Sequence, residues 1–82
     1  MKDANNRNTP GEQAYRAAYA QDLHALCTMD RQELNAGLRI AKQRQRDPSA
    51  ATRRQGAGAA RTLAHLLSLQ SRQPVQDLLD LD

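Results

Sequence analysis

Seven of the chain's twelve cationic side chains fall between residues 39 and 61, as Arg39, Lys42, Arg44, Arg46, Arg53, Arg54 and Arg61, against the single acid Asp47. The segment carries +6, twice the +3 of the whole 82-residue chain. Ten of the twelve cations are Arg, whose planar guanidinium suits bidentate contact with phosphate or carboxylate. At about 100° per residue, Arg54, Arg61, His65 and Arg72 lie within about 40° of one another, opposite the Leu63/Leu67 side of the same helix. Arg39, Lys42 and Arg46 form a second cationic stripe. Cations gathered without interspersed acids bind phosphates by releasing counterions, and two basic helices around a short turn can straddle a nucleic-acid backbone or enter a groove. The candidate polyanion-binding residues are therefore Arg39, Lys42, Arg46, Arg53, Arg54, Arg61 and Arg72. The competing explanation is a solvated polar face, which every amphipathic helix must have. No helix-turn-helix pattern, zinc-finger spacing or RNA-binding aromatic motif accompanies the charge, so nothing here predicts base specificity.

The C-terminal stretch Val75-Gln76-Asp77-Leu78-Leu79-Asp80-Leu81-Asp82 sets three leucines between aspartates, just beyond Pro74. Leucines placed after a helix-ending proline point to a docking peptide, with Gln76, Leu78, Leu79 and Leu81 as the candidate anchors. Gln76-x-x-Leu79-x-Leu81 resembles the hexapeptide form of the bacterial sliding-clamp-binding motif. That resemblance implies a glutamine amide hydrogen-bonded in a small pocket, two leucines filling a larger one, and a sliding clamp as partner. Leu78-Leu79-Asp80-Leu81-Asp82 also resembles a clathrin-box peptide of eukaryotic adaptors. The plainer alternative is a short amphipathic turn folding back on the helices.

His24, Cys27 and His65 supply one thiol and two imidazoles, the ligand types of a zinc site. Their helical angles disperse them: Cys27 falls about 40° from the Leu23 direction, whereas His65 points away from its own core face. The expectation is a buried inert thiol, two surface histidines, no metal and no cofactor. Catalysis by Cys27 with His24 lacks a third group to orient the base, so no catalytic residue is assigned. Gln55-Gly56-Ala57-Gly58 has neither a preceding strand nor a following Lys-Ser/Thr, as a phosphate-cradling loop would require.

These residues must be carried by helices. Ala 14, Gln 9, Arg 10 and Leu 11, with one Ile, one Val and no Phe or Trp, form an all-α composition. The expected architecture is a small three-helix bundle. Residues 1–11 are a polar, Asn-rich flexible arm; 12–72 the helical domain; 73–82 an acidic, leucine-containing tail. The helices are expected near 12–29, 30–46 and 49–72. On the first, Tyr15, Tyr19, Leu23, Leu26 and Cys27 share the core face. Asp30 with Glu33 has the spacing of a capping box and opens the second, whose core stripe is Leu34, Leu38 and Ala41. Pro48 and Ser49 open the third, with Thr52, Gly56, Ala59, Ala60, Leu63, Leu66, Leu67 and Gln70 on its inner side. Gly56 and Gly58 mark either a break in that helix or close packing against a neighbour.

So short a chain with so few large apolar side chains is marginal as a monomer, and a homodimer or a partner complex would offset that. One cysteine excludes an intramolecular disulfide and favours a reducing, cytoplasmic setting. No apolar run is long enough to span a bilayer, so no membrane partner is expected. The combined expectation is a non-enzymatic accessory or regulatory protein that binds nucleic acid through its basic helices and a protein partner through its tail. The alternative is a pure protein-binding module, an inhibitor or adaptor of the kind mobile elements encode, with its arginines set against an acidic protein surface.

Overall fold

Gly11 opens the folded part of the chain in a conformation that L side chains rarely adopt, with φ at 91°. The computed structural model describes residues 11–80. Gly11 is buried, donates its N–H to Glu33 Oε2 at 3.0 Å and accepts from the Tyr15 N–H at 2.8 Å. It is thus anchored to the core rather than part of a flexible arm; residues 1–10 of that expected arm lie outside the described residues. Five helices follow: α1 (Glu12–Ala20), α2 (Leu23–Cys27), α3 (Arg31–Arg44), α4 (Ala50–Ser71) and α5 (Val75–Asp80). No strand occurs among the described residues. The all-α class holds, but the arrangement is not the three helices expected.

The first expected helix is two. Gln21 turns into the left-handed region at φ 61°, and the Gln21 and Asp22 N–H groups close back onto Ala18 and Ala17 carbonyls at 3.1 and 2.8 Å. This is the paired-bond pattern of a Schellman stop, here without its usual glycine. The Gln21 amide offsets the strain by donating to Ala18 O and, across to α4, to Thr62 Oγ1, both at 3.1 Å. Asp22 then caps α2, its Oδ1 accepting from the Ala25 N–H at 3.1 Å. The turn changes which residues face inward. The core takes Ala14, Tyr15, Ala17, Ala18 and Leu26, whereas Tyr19 and Leu23 are 52% and 54% exposed and Cys27 is exposed.

Asp30 caps α3 as expected, its Oδ1 accepting from the Glu33 N–H at 2.8 Å. The reciprocal half of the box is diverted, because the Glu33 carboxylate accepts from Gly11 and so ties the start of α1 to α3. Leu34, Gly37, Leu38 and Ala41 are buried on α3. Ser49 caps α4, which stays unbroken for 22 residues, a length of about 33 Å. Its buried side is Gly56, Ala59, Ala60, Leu63, Ala64 and Leu67, with Thr52 and Leu66 half-buried and Gln70 exposed.

The two central glycines of α4 have opposite environments. A Cβ on Gly56 would stand 2.7 Å from the Ala41 carbonyl oxygen and 2.9 Å from the Gln45 nitrogen, so α3 and α4 approach backbone to backbone there. A Cβ on Gly58 would meet nothing within 4 Å. Close packing, not a break, is what Gly56 provides.

As far as Asp80, the segment after α4 is not a free tail. Arg72 closes α4 at φ 63°, and beyond Pro74 the short helix α5 folds back onto α4. Leu78 is 6% exposed and belongs to the core cluster, with Val75 and Leu79 packed at its margin.

Candidate polyanion interface

The α3–α4 hairpin concentrates charge at one end. α3 and α4 run antiparallel around the turn at residues 45–49, so the C-terminal half of α3 and the N-terminal half of α4 share that end with their cations. The lone acid there, Asp47, is occupied by the turn: its Oδ1 accepts from the Ser49 N–H at 2.8 Å. Asp30 and Glu33 lie with Arg31 at the start of α3, away from the turn, and Asp77 and Asp80 lie on α5, beyond Arg72 at the end of α4. Lys42 and Arg44 sit in the last turn of α3, where cations complement the helix dipole. No acid occupies the first turn of α4, but the Asp47 carboxylate stands just before it on the N–H of the cap residue Ser49, so the positive end of that helix already has an anion beside it.

Within this end the cations divide between two faces. Arg39, Lys42 and Gln43 of α3, with Arg46 in the turn after it, line a shallow depression of about 350 Å³. Gly37 and Arg44 mark the side of α3 that meets α1. Arg39 and Lys42 lie about half a turn around the helix from them, on the open flank. Arg54 lies on the other side, in a groove of about 310 Å³ between α1 and α4 that Ala18, Tyr19, Gln21, Gln55, Gly58 and Ala59 complete. Arg61 is exposed on the outer side of α4 and borders neither. Arg39, Lys42, Arg54 and Arg61 have no carboxylate partner among the described residues, where the ion pair found is Arg16–Glu12 at 3.3 Å.

Three arginines are placed differently from a simple stripe. Arg53 turns its guanidinium onto the carbonyls of Asp47 and Pro48 at 2.9 and 2.8 Å, bracing the turn while remaining exposed. Arg44 lies over the Tyr15 ring, with Cζ 5.0 Å from the ring centre, so it serves the packing of α1 on α3. Arg72 leaves the Arg54–Arg61–His65 line, because its left-handed backbone ends the helical register on which that alignment depended.

The tail anchors are likewise dispersed. Leu78 is a core residue and is no anchor for a partner in this conformation. Gln76 is exposed, and its amide donates to Asp80 Oδ1 at 3.1 Å within α5. Leu79 is half-buried, and Leu81 lies outside the described residues. Using Gln76, Leu79 and Leu81 as an extended peptide would require α5 to leave α4 and expose Leu78.

Cys27 is exposed rather than the buried thiol expected, because the Gln21–Asp22 turn rotates α2 away from the register of α1. Among the described residues no group of three or more His, Cys, Asp or Glu is placed to hold a metal ion, and no helix is long and apolar enough to cross a membrane. Sequence reasoning missed the α1–α4 groove; its one legible signal was Gly58, a glycine on the outward side of an otherwise alanine-rich helix. Compared with known proteins, the chain matches no family model, no curated protein and no solved structure.

Proposed function

We propose that this chain is a non-enzymatic accessory protein that binds the phosphate backbone of nucleic acid through the open flank of α3 and the adjoining α3–α4 turn. The observation that supports this most directly is the depression lined by Arg39, Lys42, Gln43 and Arg46, which has no carboxylate in its lining. Arg39 and Lys42, one turn apart on α3 and without a carboxylate partner among the described residues, repel one another, a cost that an approaching row of phosphates lowers. The exposed Arg53 extends the same field around the turn.

Three phosphate contacts give an affinity that falls about 40-fold between roughly 50 and 200 mM salt for a DNA duplex. Fluorescence anisotropy of a labelled duplex of arbitrary sequence measures this directly. A complex insensitive to salt contradicts the proposal. Polyglutamate competing as well as unlabelled duplex would transfer the arginines to an acidic protein surface instead.

A further inference from the structure

The α1–α4 groove has a composition that phosphate binding alone does not require. Tyr19 is 52% exposed, yet its hydroxyl is held by the Gln55 amide, which donates to it at 3.0 Å. Gln21 braces the same wall through Thr62. Between these walls the open floor is the exposed Gly58, where even a Cβ would find open space, with the fully buried Ala18 and Ala59 beneath it. Glycine is among the poorest helix formers, and the packing of α4 does not call for one at position 58. The groove's one charged lining residue is Arg54, which has no partner among the described residues. A fixed, half-exposed aromatic ring beside an apolar floor with a cation at the rim matches a flat group bearing an anion.

We propose that this groove takes one unstacked base of a single-stranded nucleic acid, with the base against Tyr19 and the Gly58 floor and its phosphate on Arg54. Every base has a π-face, so such a pocket is tolerant of sequence, in keeping with the absence of a base-reading motif. A duplex keeps its bases stacked and cannot enter it, whereas the α3 flank touches phosphates of either form. The inference rests on the nucleic-acid reading above and adds to it a preference for single strands.

The test compares a labelled oligothymidylate with a labelled duplex of equal length at one low salt concentration. Gly58→Leu fills the groove where space is open and improves helix propensity, and Tyr19→Ala removes the ring from a half-exposed position. Each should weaken single-strand binding about tenfold, the loss of one base–aromatic stack. Tyr19→Phe should stay within about twofold of the parent, and none of the three should change duplex affinity by more than about twofold. In a Tyr15→Phe background Tyr19 is the chain's one tyrosine, with no Trp present, and its emission should be quenched by the single strand but not by the duplex. If the parent protein binds both forms and Tyr19→Ala binds both equally well, the pocket is overturned and the phosphate reading stands. If the parent protein binds neither form, both are overturned. Should Gly58→Leu fail to fold by circular dichroism, Tyr19→Ala and the emission measurement decide alone.

Discussion

Tyr15 buries a hydroxyl that has no hydrogen-bond partner among the described residues, beneath the guanidinium of Arg44. An unsatisfied buried polar group costs about 1–3 kcal/mol, whereas the ring's packing and its contact with Arg44 survive removal of the oxygen. Tyr15→Phe should therefore raise the unfolding free energy by about 1 kcal/mol in urea titrations. A loss of similar size would mean that the hydroxyl has a partner in solution. Tyr19, one turn later, has the opposite character: exposed ring, satisfied hydroxyl. The periodicity of α1 gave both tyrosines the same inward direction. What separates them is the position of the buried face, which centres on Ala14 and Ala18, so that Tyr15 lies at its edge and Tyr19 just beyond it, and small alanines fill the inner side that aromatic side chains were expected to cover. A buried alanine contributes little to a hydrophobic pattern, and this hid the true core face of α1.

At the scale of elements, the α3–α4 pair depends on backbone proximity at Gly56. Gly56→Ala would force a methyl group against the Ala41 carbonyl and the Gln45 nitrogen, neither of which can yield without separating the helices. It should cost about 2 kcal/mol, within the range for overpacking. Gly58→Ala, two residues away, should instead stabilise by about 1 kcal/mol through helix propensity alone. Chemical denaturation of the two variants reads both effects, and the same sign for both would contradict the packing described. The capping signals at Asp30 and Ser49 were legible because side-chain caps act within four residues. α5 was legible only as the alternative of a short amphipathic turn folding back, since six residues after a proline carry no sustained period and their helix exists by virtue of Leu78 entering the core. Leu78→Ala should accordingly cost about 2–3 kcal/mol. A melting temperature unchanged by that substitution would return the segment to the status of a free peptide.

Across the whole molecule, the hairpin gathers a linear bias in charge, the cations from Arg39 to Arg54, around the α3–α4 turn. The bias and the all-α class were legible in composition, because both are sums over many residues. The division of the cations between an α3 flank and an α1–α4 groove was not. It depends on where α1 lies across the hairpin, which is decided by Gly37 admitting Ala14 and by Arg44 lying over Tyr15. The central claim is that the open flank of α3 holds phosphates. The most direct measurement is the slope of log K against log salt for duplex DNA, taken for the parent protein and for the triple variant Arg39→Gln, Lys42→Gln, Arg46→Gln. With helicity preserved by circular dichroism, the slope should become shallower by about 2.7, three phosphate contacts at about 0.9 each. An unchanged slope and affinity in the folded triple variant would show that the α3 flank is only a solvated face.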